Sequence, residues 1–261
     1  MSHKISFTGS GNVGTNLART LFQHGYKIES IISRHIENAR QLAAQVNARP
    51  GTSLSELDNN SDILLFAVND DALPAILEGF DFGDKVLIHT AGSLSLDTFQ
   101  GHSKNYGVLY PLQTFSKHRV ADFMNLPVFI EANNNFALSC IRQIAEKISR
   151  HVYVVNSEER LRLHTAAVFA CNFVNHMYSI AEEIVSENDM GIEIFEPLIR
   201  ETADKALRLG DPAKSQTGPA LRNDKSTMDK HLALLEDNKD LYDLYKILSN
   251  RIFETSIKEK K

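Results

Sequence analysis

Apolar positions fall into two textures along the 261-residue chain. Through about Val155, short apolar runs alternate with stretches of helical periodicity. Lys4–Thr8 predicts a strand, followed by a glycine-rich turn and a helical stretch through Phe22. Lys27–Ser33 predicts a second strand carrying Ile28, Ile31 and Ile32, and Ile36–Val46 a helix. Ala48–Pro50 predicts a short third strand. Asp62–Val68 is the kind of continuous apolar run that is buried on both faces of a parallel sheet, and Lys85–His89 predicts another strand. Tyr106–Tyr110 and Val128–Glu131 predict weaker strands, Asn134–Arg150 an Asn-capped helix, and Val152–Val155 a last strand. Strands alternating with helices of this length predict βαβ units, hence a mostly parallel sheet with helices on both faces.

From Asn156 onward the pattern is helical only. Ser157-Glu158-Glu159 reads as a helix start, with a capping residue and first-turn acids. One long helix is predicted from there to about Asp189, ended by Gly191. Ile194–Leu209 predicts a second helix, broken by Gly210-Asp211-Pro212. Ala213–Lys225 reads as loop, and Ser226–Glu236 and Asp240–Ile257 as further helices. The expected organisation is an α/β domain over residues 1–153 followed, without a flexible linker, by an all-α domain over residues 154–261. The terminal Lys258-Glu259-Lys260-Lys261 reads as a solvated tail.

Composition narrows the function classes. At 43% hydrophobic and 23% charged residues, the chain is expected to be soluble and globular. A net charge of -5 gives no electrostatic footprint for nucleic acid or an anionic membrane. The longest apolar run, Ile63–Val68, is far short of the roughly 20 residues a bilayer span needs. The opening MSHKISFTGSG lacks the apolar region of a secretory signal. Cys140 and Cys171 both sit in apolar stretches, which predicts two buried free thiols and a reducing compartment, the cytoplasm. No metal-binding set is expected.

Gly9-Ser10-Gly11-Asn12-Val13-Gly14 matches G-x-G-x-x-G in the context the motif requires, after a strand and at the start of a helix. Gly9 allows the tight turn, Gly11 lets a pyrophosphate approach the backbone, and Gly14 lets helix and strand pack closely. The free N–H groups of the helix start then face the anion. A Rossmann-type dinucleotide-binding domain is therefore expected. The second predicted strand ends at Ser33-Arg34, where an NAD site would carry Asp or Glu. A hydroxyl and a guanidinium suit a 2′-phosphate, so NADP is the expected cofactor. Glu29 is the rival but sits early in the strand, and Arg40 is a weaker partner for the phosphate. Ligands of open α/β sheets bind at the carboxyl ends of strands. That adds Ala67, Val68 and Asn69, then Thr90, Ala91 and Gly92, to the cofactor-binding candidates. Ser93 and Gln113, on the loops after His89 and Tyr110, are substrate-binding candidates.

The stretch His164 to His176 is small and apolar but carries polar side chains. On a regular helix His164 and Asn175 lie within about 20° of each other, and Asn172 about 80° from His164. Buried imidazoles and amides need partners, and a substrate is one candidate. His164 and Asn172 are the catalytic candidates, His164 because imidazole can donate a proton near neutral pH. Asn175 is a substrate-binding candidate; His176 lies off this face. In the loop Thr217-Gly218-Pro219-Ala220-Leu221-Arg222-Asn223-Asp224, Thr217 and Arg222 are candidates to clamp an anionic group of the substrate.

These stretches, with Tyr110-Pro111-Leu112-Gln113-Thr114-Phe115 and His231, resemble a known superfamily across nearly the whole chain. The sequence is similar to pyrroline-5-carboxylate reductases, deazaflavin-dependent NADP reductases and 6-phosphogluconate-dehydrogenase-like enzymes. Within it, the chain resembles a bacterial group of NADP oxidoreductases whose second domain has no assigned function. The resemblance implies an all-α domain like the 6-phosphogluconate dehydrogenase C-terminal domain, which forms a homodimer and lines a cleft between the two folds. It also implies hydride transfer between NADP(H) and a small imine- or carbonyl-like substrate. The sequence departs from the β-hydroxyacid dehydrogenases of that superfamily, whose catalytic Lys lies four residues before an Asn. Here that position is Val168 before Asn172, and no Lys occurs between Lys147 and Lys205. A non-catalytic NADP-binding regulator is the competing expectation.

Overall fold

A computed structural model describes residues 3–57, 59–117, 119, 121–186 and 190–258. It divides into two compact units, residues 1–175 and 176–261. The first is built on one eight-stranded sheet of order β3-β2-β1-β4-β5-β6-β7-β8. Its strands are β1 (Lys4–Thr8), β2 (Lys27–Ile32), β3 (Arg49–Gly51), β4 (Ile63–Phe66), β5 (Val86–His89), β6 (Asn105–Pro111), β7 (Pro127–Ala132) and β8 (His151–Val154). The first six run parallel. β7 is antiparallel to β6 and parallel to β8. The helices of this unit are α1 (Asn12–Gln23), α2 (Ile36–Val46), α3 (Leu73–Leu77), α4 (Asn135–Ile148) and α5 (Ser157–Ala167). This is the α/β fold the alternation predicts, and α2 has the predicted bounds.

Strand alternation assigns the two faces of the sheet. In β6 and β7, Leu109, Val128 and Ile130 join the cluster containing Ile141, Ile144 and Ile148 of α4. Their neighbours Val108, Tyr110 and Phe129 face the other way and pack with Leu163 of α5. β4 is buried at every position, which is why its sequence is an unbroken ILLF.

The predicted long helix is interrupted. α5 passes through a π turn, Val168–Phe173, into α6 (Val174–Val185). Its expected end near Asp189 lies outside the described residues, as do Glu259, Lys260 and Lys261 of the tail. The cap of α5 is Asn156, in a reciprocal box with Glu159, rather than Ser157. Cys140 is buried as expected, but Cys171 is exposed. The π turn carries no buried residue, so an apolar stretch there does not report burial within one chain.

The second unit is helical. It holds α7 (Glu196–Leu209), α8 (Pro212–Ser215), α9 (Pro219–Arg222), α10 (Lys225–Leu234) and α11 (Lys239–Lys258). The segment read as loop thus contains two one-turn helices, each started by a proline whose φ suits the first helical turn. Among the described residues no helix is long and apolar enough to cross a membrane.

Candidate active site

The glycine turn has the shape its spacing predicts. Gly9 has φ 107°, open to glycine, and a Cβ there would strike the Ala67 carbonyl. A Cβ on Gly14 would strike the Gly9 carbonyl. Gly11, by contrast, faces open space. It is also the N-cap of α1, with no side-chain cap and no acidic residue in the first turn. The first N–H groups of α1 are therefore left for an anion.

A cleft of about 370 Å³ opens beside this turn. Gly9, Ser10, Gly11, Ser33, Arg34, Ala67, Val68 and Asn69, all candidates from the sequence, line it. Ser10 Oγ donates to Ser33 Oγ at 2.8 Å, tying the glycine turn to the end of β2. Arg34 is exposed at the rim. Glu29 is no competitor: it is buried and ion-paired with Lys27 at 2.7 Å, at the opposite end of β2 from Ser33. Arg40 pairs instead with Glu37 at 2.8 Å. Among the described residues no carboxylate lines the cleft. Asn12 and Val13 begin α1 without lining it. The residues present fit a phosphorylated dinucleotide: an uncapped helix start, an open Gly11 and cations without acids.

Thr90, Ala91 and Gly92 lie outside this cleft, at the carboxyl end of β5. They are organised by a residue the sequence reading did not single out. Arg160 of α5 is fully buried. Its Nη1 donates to the carbonyls of Ala91 (2.8 Å) and Gly92 (3.1 Å), and its Nη2 to that of Leu94 (2.7 Å). Nη2 also pairs with Glu131 of β7 at 3.0 Å, and Ser157 Oγ donates to the same carboxylate at 2.9 Å. The 91–94 loop is thus fixed by side chains from α5 and β7. Below it, burial and then the Arg160 charge push the His89 imidazole down to about 3, so His89 stays neutral.

One turn beyond Arg160, His164 is half-buried on the same face of α5. Its Nδ1 shares a 2.9 Å hydrogen bond with the Tyr110 hydroxyl at the end of β6. Burial raises the Tyr110 pKa above the ordinary tyrosine range, with Arg160 pulling it down and Asp70 pushing it up. The hydroxyl therefore keeps its proton, and the direction of its bond with Nδ1 follows the imidazole tautomer. Gly92 lies against the ring: a Cβ there would come within 2.5 Å of His164 Cγ and Nδ1. Tyr110, His164 and Gly92 form one contact set from three distant parts of the chain.

Other candidates are placed differently. Ser93 Oγ is engaged by the Asp70 carboxylate. Gln113 is exposed and accepts from the Thr114 amide at 2.8 Å. The π turn holds one extra residue, so helix phase beyond it lags by up to about 100°. That takes Asn175 off the His164 face, correcting the expectation from a regular helix, and moves exposed Asn172 toward it. Asn172 still lies about 12 Å further along the axis. Thr217 and Arg222 belong to the second unit. Thr217 accepts from Gln216 Nε2 through its carbonyl at 2.9 Å, and Arg222 is exposed on α9.

Two family descriptions match the chain. Residues 4–92 match "NADP oxidoreductase coenzyme F420-dependent". Residues 126–252 match "Domain of unknown function (DUF2520)". Among solved structures, the "putative NADP oxidoreductase BF3122" of Bacteroides fragilis is 39% identical with a TM-score of 0.88, over 97% of this chain and 98% of that one. Protein TM1727 of Thermotoga maritima is 24% identical with a TM-score of 0.78, over 96% and 99%. A reductive aminase from Aspergillus terreus, in complex with NADPH and ethyl-5-oxohexanoate, shares the fold at 12% identity and a TM-score of 0.71, over 98% and 95%. No curated protein matches the chain.

Proposed function

Because the chain belongs to the NADP oxidoreductases that carry the DUF2520 domain, we propose that it reduces a small substrate bearing a C=N or C=O bond at the expense of NADPH. NADPH supplies the hydride. Ser10, Gly11, Ser33 and Arg34 hold the cofactor's phosphates, with Asn12 and Val13 supplying N–H groups of the α1 start. Ala67, Val68 and Asn69 flank the dinucleotide, and Thr90, Ala91 and Gly92 meet its nicotinamide end.

The observation that carries the reading is the Tyr110–His164 hydrogen bond set against Gly92, at the carboxyl ends of β5 and β6. Ligands of open parallel sheets bind at those ends. The nitrogen or oxygen of a reduced double bond must take up a proton. His164 offers one from Nε2, and the Tyr110 hydroxyl replaces it through Nδ1. Asn172 orients the substrate. Ser93 and Gln113 are its further contacts. The domains act as 1–153 and 154–261, and the helical one pairs with itself. Leu198 and Leu207 of α7, 63% and 81% exposed in the single chain, are apolar surface such pairing would cover.

The test is a fluorescence titration with NADPH, followed by NADPH oxidation against small cyclic imines and ketones. The expected result is turnover that falls about 10²–10⁴-fold in His164→Ala with NADPH affinity retained. Turnover indifferent to that change would refute the assignment. NADPH binding without turnover of any substrate in the panel would favour the regulator.

A further inference from the structure

The segment that leaves β6 brings a cation to the cofactor cleft that the glycine fingerprint does not supply. After Leu112, whose N–H bonds the Pro127 carbonyl at 2.9 Å, the chain crosses α1 and is fastened there. Asn16 is fully buried; its Nδ2 donates to the Ser116 carbonyl at 2.9 Å and its Oδ1 accepts from the Ala121 amide at 3.2 Å. Arg19 Nη1 donates to the Lys117 carbonyl at 3.1 Å, and its Nε to Gln45 of α2 at 2.5 Å. Residues on both sides of Lys117 are therefore held to the α1–α2 layer. Buried Asn16 is used for this and for one bond within its helix, from Nδ2 to the Asn12 carbonyl.

Lys117 itself is half-buried and lines the cleft with Ser33 and Arg34. Neither the Lys117 ammonium nor the Arg34 guanidinium has a hydrogen bond or ion pair with another described residue. Two such cations beside one cleft, in a chain of net charge -5 and with no carboxylate among the described residues lining that cleft, call for an anion. The dinucleotide carries two anionic sites. The pyrophosphate is served by backbone N–H groups at Gly11 and the α1 start. Lys117 lines the cleft together with Ser33, Arg34 and His35, the residues that follow β2, which puts its charge on the side of the second site.

We propose that Lys117 is a cofactor-selecting residue whose ammonium pairs, together with Arg34, with the 2′-phosphate of NADPH. An ammonium suits this role as a flexible point charge that completes a site whose planar donor is already Arg34.

The experiment titrates NADPH and NADH separately into the full-length protein and its Lys117→Met, Lys117→Arg and Arg19→Met variants, following intrinsic fluorescence. Lys117→Met is expected to weaken NADPH about tenfold and NADH less than about twofold. Lys117→Arg is expected to restore most of the loss. Arg19→Met, which frees the segment without touching the cleft lining, should show a smaller loss confined to NADPH. Thermal melts of the cofactor-free variants within a degree or so of wild type separate these effects from misfolding. Unchanged NADPH affinity in Lys117→Met, or equal losses for NADPH and NADH, would overturn the proposal. A wild-type protein that binds neither dinucleotide would overturn the cofactor reading as well, and is distinguished by that result alone.

Discussion

Replacing Arg160 by Met asks what fastens α5 to the sheet. Met keeps much of the apolar stem and removes every donor. The change strands the Glu131 carboxylate, 9% exposed, and the carbonyls of Ala91, Gly92 and Leu94. Removing one partner of a buried ion pair costs about 3–5 kcal/mol. Glu131 keeps its bonds from Ser157, so the lower end applies, about 3 kcal/mol. In a unit of this size that corresponds to a drop in Tm of about 6–12 °C. Urea denaturation and calorimetry measure it, and Glu131→Gln with the double variant completes the cycle. The double variant should be less destabilised than the sum of the single changes by about 2 kcal/mol, because the second change removes the orphaned charge. A loss below about 1 kcal/mol in Arg160→Met, or strict additivity, would refute an ion-pair clamp and leave the contacts of Leu163 as the fastening. An independent reporter lies beneath. His89 should titrate above about 3 in Arg160→Met, yet stay below its ordinary value because burial is the larger cause.

The same imidazole predicts acid sensitivity. The unfolded ring takes up a proton near pH 6.5 and the folded ring not until about 3, so the unfolded state binds more protons between them and stability falls as pH drops through that window. His89→Leu should flatten the profile there; an unchanged slope would show that other groups set it. Gly11 and Gly14 should separate binding from folding. Gly11→Ala, at φ -71° and facing open space, should lose NADPH affinity with stability within about 0.5 kcal/mol of wild type. Gly14→Ala should lower Tm as well, because its methyl meets the Gly9 carbonyl. Equal melting behaviour of the two variants contradicts this.

Legibility of the sequence divides by range. The βαβ alternation and the cofactor turn were readable because each is local: strand, turn and helix start lie within about twenty residues. Arg160 was not. It follows Glu158 and Glu159 at a helix start, a setting that reads as solvated, and its partners outside α5 lie 29 to 69 positions earlier. Lys117 carried no signal either, since Asn16 and Arg19, which fasten its segment, lie about a hundred residues away. The π turn leaves no mark in a hydrophobic period, and reading straight through it misplaced Asn175. Cys171 misled for a different reason: its apolar neighbours Phe169 and Phe173 pack on each other, 4.9 Å between ring centroids, yet stay exposed.

The contact between Gly92 and the His164 ring has an evolutionary reading. Two positions 72 residues apart compete for one volume, because a methyl at one occupies the place of the imidazole at the other. Across relatives that keep this loop, substitution at the two sites should be correlated. A lineage with a side chain at the glycine position should have first exchanged its histidine for something smaller. Any relative that pairs an alanine at the first position with a histidine at the second would mark a lineage in which the loop itself has moved.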